Sequence, residues 1–411
     1  MAEQQHLPTH GTSLAELQAE LAELHGQDPI LFASLKGPLD AQAVAERAHQ
    51  QFFSANAMLA GRLPAIARMQ NDLYGWALGL MHGGPDARAS LTTGGSESIF
   101  CAVHALREWA RSTKPAITQP ELVAPYSAHA GFSKACHYMN ITLVRVPLGA
   151  DRRADLAAMT AAITPNTIGV VGSAPCWPYG LYDPIRDLAA LALERGLWMH
   201  VDACVGGFLA PFVSKLGYTL PDWDLSVPGV CSISADLHKY GWAPLHCSMV
   251  LYASAELHAY QPHVVEDWPT GPYRTETVVG SRSGASVAGA WAVMRYLGEE
   301  GFLNSTRRII ELTERLRAAV NEIPGLYALE NDLQPFAVGA DGSSALTTAA
   351  VAAGLRERGW LTLGTLEPPL MNLPLGADRT DAEVEAFLTA LEEIAAGATP
   401  ADSEGALNYA S

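Results

Sequence analysis

The sequence predicts an α/β fold in which a large, mainly parallel sheet domain precedes a smaller C-terminal α/β domain. Three observations carry this. Between about residues 89 and 252, short aliphatic runs alternate with stretches of helical periodicity, the pattern of a parallel sheet covered on both faces. Leu197-Trp-Met-His-Val201 reads as a strand of the buried type and ends in a carboxylate, Asp202, followed by small residues. From Ala285 to about Ile323 the chain is nearly all helical, broken near Gly298 and Gly301, and suits a link to a second, smaller unit.

Taken in order, residues 1–55 form an N-terminal helical segment, 56–290 the large domain, 291–397 the small domain and 398–411 a tail without packing signal. Leucines at 14, 17, 21 and 24 make a helical stripe that must be buried, either on its own subunit or on a partner. Ala65 to Leu80 is a helix, and Ala89 to Ser98 a strand that turns into a helix reaching about Arg111. Strands follow at 121–126, Ile141 to Val146 and Ile168 to Ser173, with helices at 131–138 and Asp155 to Ile163. Asp183-Pro184 is read as a helix cap with proline at the first helical position, and Gly196 as its stop. Strands at Trp198 to Val201 and Val230 to Ser234 come next, and Ser248 to Tyr252 reads as an antiparallel return. Beyond Gly325, strands are expected at Leu326 to Leu329, Phe336 to Val338 and Leu370 to Leu373, with a helix near Thr347 to Arg358. The last helix opens on the capping-box pattern Thr380-Asp-Ala-Glu383 and ends near Gly397.

Three stretches carry chemistry. In Ser232-Ile-Ser-Ala-Asp-Leu-His-Lys239 a lysine closes an apolar run; burial there disfavours its ammonium and frees the amine as a nucleophile, making Lys239 the candidate Schiff-base lysine. Asp202 stands where a parallel strand delivers side chains to the ligand edge of a sheet. Leu91-Thr-Thr-Gly-Gly-Ser-Glu-Ser98 passes from strand to helix through glycines and hydroxyls, which suits a phosphate held by helix amides. A lysine for an aldehyde, an acid for a pyridine nitrogen and an amide cup for a phosphate are together what pyridoxal 5'-phosphate requires.

Thr93-Gly-Gly-Ser-Glu-Ser-Ile99, Ala128-His-Ala-Gly-Phe-Ser-Lys134, His200-Val-Asp-Ala-Cys204, Ser234-Ala-Asp-Leu-His-Lys-Tyr-Gly241 and Gly280-Ser-Arg-Ser-Gly284 resemble the motifs of the pyridoxal-phosphate group II decarboxylases, nearest to their sphingosine phosphate lyase branch. The likeness runs from about Asn56 to Trp291 and, in kind, to the C-terminus. It implies a fold-type I enzyme acting as a homodimer with shared sites. By resemblance Lys239 holds the cofactor and carries protons, Asp202 holds the pyridinium, His129 stacks on the ring, and Gly95 with Ser96 cups the phosphate. His238 resembles a phosphate-contacting or proton-handling histidine. Tyr273, in the glycine- and proline-bearing loop Thr270-Gly-Pro-Tyr273, is either a proton donor or a loop residue without a role. Ser281 resembles the residue that reaches the neighbouring subunit's cofactor, and Arg282 either holds that loop or binds a carboxylate.

The implied reaction is carbon–carbon cleavage of a small amino substrate. Retro-aldol lysis is placed ahead of decarboxylation, and a non-catalytic scaffold is the remote third reading. Two departures bear on the substrate. Leu245 stands where the sphingolipid lyases carry a lysine for the substrate phosphate, and Asn56-Ala-Met-Leu59 replaces Asn-Pro-Leu-His, so an unphosphorylated amino acid is expected. At this point Ala243-Pro-Leu-His-Cys247 resembles glutamate-type decarboxylases, and Gly280-Ser-Arg-Ser-Gly-Ala-Ser286 the archaeal tyrosine decarboxylases.

Composition narrows the partners. Twenty-six basic against 43 acidic residues give a net charge of −17, which speaks against nucleic acid and anionic membranes. Met1 to His10 has neither a basic start nor an apolar run, so a cytoplasmic location without a membrane partner is expected. The six cysteines are scattered without Cys-x-x-Cys spacing, and are read as reduced, with no metal site.

Overall fold

The computed structural model describes residues 9–26, 30–343 and 345–397. The tail expected at 398–411 and residues 1–8 lie outside the described residues.

The large sheet has seven strands, in the order Arg88–Thr92, Ser248–Tyr252, Val230–Ala235, Trp198–Asp202, Thr167–Ser173, Glu121–Pro125 and Thr142–Val146. Neighbouring strands are parallel except where Ser248–Tyr252 runs antiparallel to both its neighbours, as expected of the return strand. Trp198–Asp202 is central and buried along its whole length, which is why it reads as apolar on both faces. In register, Asp202 lies beside Ser173 on one side and Ser234 on the other. The parallel strands therefore deliver Thr92, Pro125, Ser173, Asp202 and Ala235 to one carboxyl edge, where the loops into the following elements begin.

A smaller antiparallel sheet of four strands, Leu326–Ala328, Phe336–Ala340, Pro369–Leu373 and Leu363–Leu366, forms after the long helix Gly284–Glu322. That helix is interrupted at Gly298, whose φ of 54° lies in the left-handed region glycine tolerates, while Gly301 continues the helix. The chain visits the small sheet's surroundings early: Ile30–Leu31 pairs in parallel with Trp360–Leu361, and the Phe32 ring stacks on Phe387 at 3.8 Å. The helix Leu39–Gln51 then packs against Gly284–Glu322.

Two local expectations are corrected. Asp183 does not cap the helix Ile185–Arg195; its carboxylate instead accepts from the amides of Ala154 at 2.8 Å and Ser173 at 2.7 Å. Those buried amides, left without partners, cost more than an uncapped surface helix start, so the carboxylate serves them. Of the two positions open to the leucine stripe of Leu14–Gly26, packing on its own subunit is not adopted: Leu14, Leu17, Leu21 and Leu24 are 70%, 42%, 55% and 53% exposed. The predicted stop at Gly196 (φ 60°) and the capping box of Thr380 with Glu383 are both present. All six cysteines are free, and Cys231 alone of them is not buried. No helix among the described residues is long and apolar enough to cross a membrane.

Candidate active site

The cup is set by the step from Arg88–Thr92 to the helix Gly95–Thr113. Glu97 shapes it: Oε2 accepts from the Thr93 amide at 2.6 Å and the Thr93 hydroxyl at 2.8 Å. The first amides of a helix have no intrahelical acceptor, so Gly95 and Ser96 offer N–H groups to a ligand. Gly95 is required by close approach, since a Cβ there would stand 2.8 Å from both Asp236 Oδ2 and Cys204 Sγ.

On the central strand, Asp202 is 7% exposed, and its Oδ1 accepts from the Cys204 amide and the Ser234 hydroxyl, both at 3.1 Å. Among the described residues no protein donor reaches Oδ2, which is the position a ring N–H would fill. Beneath it, burial pushes the His200 imidazole down to about 4, and the neutral ring bonds Ser232 at 2.8 Å and Ser234 at 3.3 Å.

Lys239 follows the strand Val230–Ala235 by one turn. Its Nζ lies 3.0 Å from Asp236 Oδ2 and 5.4 Å from the centre of the Trp177 ring. Here the sequence expectation is corrected. Burial does work against the ammonium, but the Asp236 carboxylate, with Asp202 further off, more than reverses it, so Lys239 is held above its ordinary value. Asp236 is itself 2% exposed; burial opposes its charge, yet Lys239 and His238 hold its carboxyl below the ordinary range. His238 donates through Nδ1 to the Cys247 carbonyl at 2.8 Å, and its Nε2 stands 3.7 Å from Asp236. Burial lowers its basicity.

Contacts thus run from Asp202 through Cys204 and Gly95 to Asp236, Lys239 and His238, so these residues share one space. His129 stands on the adjoining loop, where Nδ1 accepts from the Gly131 amide at 3.0 Å, close to Ile99 of the cup helix. Tyr273 and Ser281 make a separate cluster. Ser281 Oγ accepts from Asn56 Nδ2 at 2.8 Å, and the space beside Gly280 is bounded by the Tyr273 hydroxyl and Met58. Glu97 ties this cluster to the cup by accepting from the Val279 amide at 2.9 Å. Arg282 Nη1 donates to Thr277 Oγ1 at 2.8 Å within its own loop.

Sequence reasoning missed Asp236, Glu97 and Trp177. The first two lie inside quoted motifs, three residues before Lys239 and four after Thr93, spacings that bring side chains together within one helical turn. Trp177 arrives from a different strand end, and no local signal marks it. A cavity of about 620 Å³ between Trp76, Phe212 and Phe302 holds none of these groups. The chemistry, not the size of the space, identifies the site.

A partly buried lysine, a central-strand carboxylate and a glycine cup at the carboxyl edge of a parallel sheet define the pyridoxal-phosphate class, and each part fits that group here. Residues 20–331 match the pyridoxal-dependent decarboxylase conserved domain, and the chain belongs to that family. Within it the chain falls in the branch of the sphingosine phosphate lyases. It is 45% identical over 280 residues to the sphingosine-1-phosphate lyase of Arabidopsis thaliana, covering 68% of this chain and 51% of that protein. It is 32% identical over 355 residues to a probable L-tyrosine/L-aspartate decarboxylase of Methanothermobacter thermautotrophicus, covering 85% and 94%. The structure of the Burkholderia pseudomallei sphingosine-1-phosphate lyase superposes with a TM-score of 0.89 at 31% identity, over 96% of this chain and 93% of that one. The chain spans about half the length of the plant lyases it matches.

Proposed function

We propose that this chain is a pyridoxal-phosphate-dependent carbon–carbon lyase that cleaves a small, unphosphorylated β-hydroxy amino acid in the retro-aldol sense. The observation that carries the reading is the shared space of Lys239, Asp202 and Gly95 at the carboxyl edge of the sheet. When bound, pyridoxal phosphate supplies the electron sink that accepts the pair from the breaking bond. The protein's part is to hold and to move protons. Asp202 Oδ2 would accept the ring N–H, His129 would stack on the ring, and the amides of Gly95 and Ser96, with His238, would take the phosphate. Lys239 would hold the cofactor through Nζ and, once released by the substrate, its amine would take the proton of the substrate hydroxyl and return one to the α-carbon. Tyr273 is a second proton donor. In a homodimer, Ser281 of one copy completes the other copy's site, and the leucines of Leu14–Gly26 lie across the partner.

The substrate class rests on Leu245. It is 67% exposed and lines a cavity of about 340 Å³ together with Thr93, Ser281 and Arg282. An apolar side chain there gives a phosphate no charge-assisted hydrogen bond, a contact worth about 1.5–3 kcal/mol. Decarboxylation is the second reading, favoured by the likeness over nearly its whole length to the L-tyrosine/L-aspartate decarboxylase.

The test is one assay on the holoenzyme with β-hydroxy amino acids, simple α-amino acids and sphingosine phosphate, monitoring aldehyde and carbon dioxide together. Aldehyde from the β-hydroxy acid is expected. Carbon dioxide without aldehyde moves the chain to the decarboxylases, and efficient cleavage of the phosphorylated lipid overturns the argument from Leu245.

A further inference from the structure

Asp236 is a buried carboxylate that the proposed reaction does not use. Its Oδ2 meets Lys239 Nζ at 3.0 Å, and its Oδ1 accepts from Ser248 Oγ at 2.5 Å. Behind it, Ser248 bonds Ser98 at 2.8 Å, and Ser98 bonds Thr92 at 2.6 Å. Thr92, Ser98 and Ser248 are buried, at 3%, 0% and 0% exposure. This line of hydroxyls crosses from the cup strand and cup helix to the antiparallel strand and pins the carboxylate directly under Gly95, where a Cβ would meet both its oxygens.

A carboxylate so deeply placed is costly unless paired and bonded on both oxygens, and here it is both. The charged and titratable groups around Lys239 are Asp236 and His238 from its own turn, with Asp202 at the end of the central strand and Cys204 just beyond it; the Trp177 ring covers it from the neighbouring loop. Of these, Asp236 alone makes a direct ion pair with Nζ.

We propose that Asp236 is a positioning residue that fixes Lys239 Nζ beneath the cup and keeps it cationic, so that Asp236 sets the pH at which the lysine becomes a free nucleophile. A charged ammonium has no lone pair for a carbonyl carbon, so the proton must leave before any covalent step. The hydroxyl line holds the carboxylate at the one place from which it controls that proton. This inference rests on Lys239 being the reactive lysine of the reading above.

The experiment uses the full chain stripped of cofactor and trace-labelled with acetic anhydride over a range of alkaline pH, followed by peptide mass spectrometry. The labelling midpoint of Lys239 is compared with that of Lys215, which is 42% exposed in its side chain. In the wild-type chain the Lys239 midpoint is expected above that of Lys215. In Asp236→Asn it should fall by at least about one pH unit, a tenfold gain in labelling at fixed pH, and Asp236→Glu should restore most of it. A wild-type midpoint at or below that of Lys215 overturns the proposal without any variant, and so does an unchanged midpoint in a folded Asn variant. Because the readout is lysine titration without cofactor, absence of lyase activity leaves it standing, and a flat titration leaves the lyase reading standing.

Discussion

Asn372 Nδ2, on the small antiparallel sheet, donates to the carbonyl of Trp177 at 3.2 Å, and the Trp177 ring in turn covers Lys239. The loop between Ser173 and Asp183 is thus strapped to the small sheet at the point where it reaches Lys239. The Tyr179 hydroxyl donates to the Glu367 carbonyl at 2.7 Å, and the Leu333 amide to the Gly180 carbonyl at 3.1 Å, along the same strap. Removing the Asn372 donor with Asn372→Ala should cost about 1–3 kcal/mol of stability. Denaturant unfolding measures it; a variant as stable as wild type would mean that the strap is held without this bond.

Asp202→Asn preserves shape but removes the charge that a ring N–H requires. The chain should still bind pyridoxal phosphate, with turnover lowered about a hundredfold or more. Cofactor content by absorbance and turnover on the same sample separate the two effects, and activity within a few-fold of wild type would make Asp202 a purely structural residue.

Gly95→Ala places a methyl against Asp236 and Cys204. Overpacking of about 1–3 kcal/mol is expected, and it should appear as weaker retention of the phosphate. Equilibrium dialysis against pyridoxal phosphate, beside pyridoxal lacking the phosphate, reads the loss. Equal retention by variant and wild type would show that the cup does not hold the phosphate.

Two buried groups give opposite pH dependences that partly cancel in the wild-type chain. His200, pushed down to about 4 by burial, contributes stability present above the unfolded value near 6.5 and lost as pH falls toward 4. Asp183, pushed up to about 6 by burial, contributes stability present below about 3.8 and lost as pH rises through 6. Each is of order 3 kcal/mol over its window. In unfolding titrations between pH 4.5 and 6, Asp183→Asn should therefore lose stability faster than wild type as the pH falls. His200→Gln should lose it more slowly. Parallel curves for all three would mean that neither group titrates differently on folding.

Replacing Leu17 and Leu21 with Glu in the N-terminal helix should disrupt the proposed homodimer while leaving the folded chain intact. Light scattering and circular dichroism give the two readings; an unchanged mass would place the dimer contact elsewhere.

The sequence by itself determined the seven strands of the large sheet, the buried central strand ending at Asp202 and the cup ahead of Ser96. It also showed the turn that carries Lys239. These are local: each rests on periodicity, on small residues where the backbone must come close, or on polar residues at the end of an apolar run. The strand pairing of Ile30–Leu31 with Trp360–Leu361 was not legible, because nothing in two residues states which distant edge they join. Asp183 looked like a helix cap because capping is a sequence-local option, whereas the buried amides that claim it come from Ala154 and Ser173. Tertiary structure also decided the charge of Lys239. Burial alone predicts a free amine, but the strand Ser248–Tyr252 and the cup helix bring hydroxyls behind Asp236, and a pinned carboxylate at 3.0 Å outweighs the lost hydration.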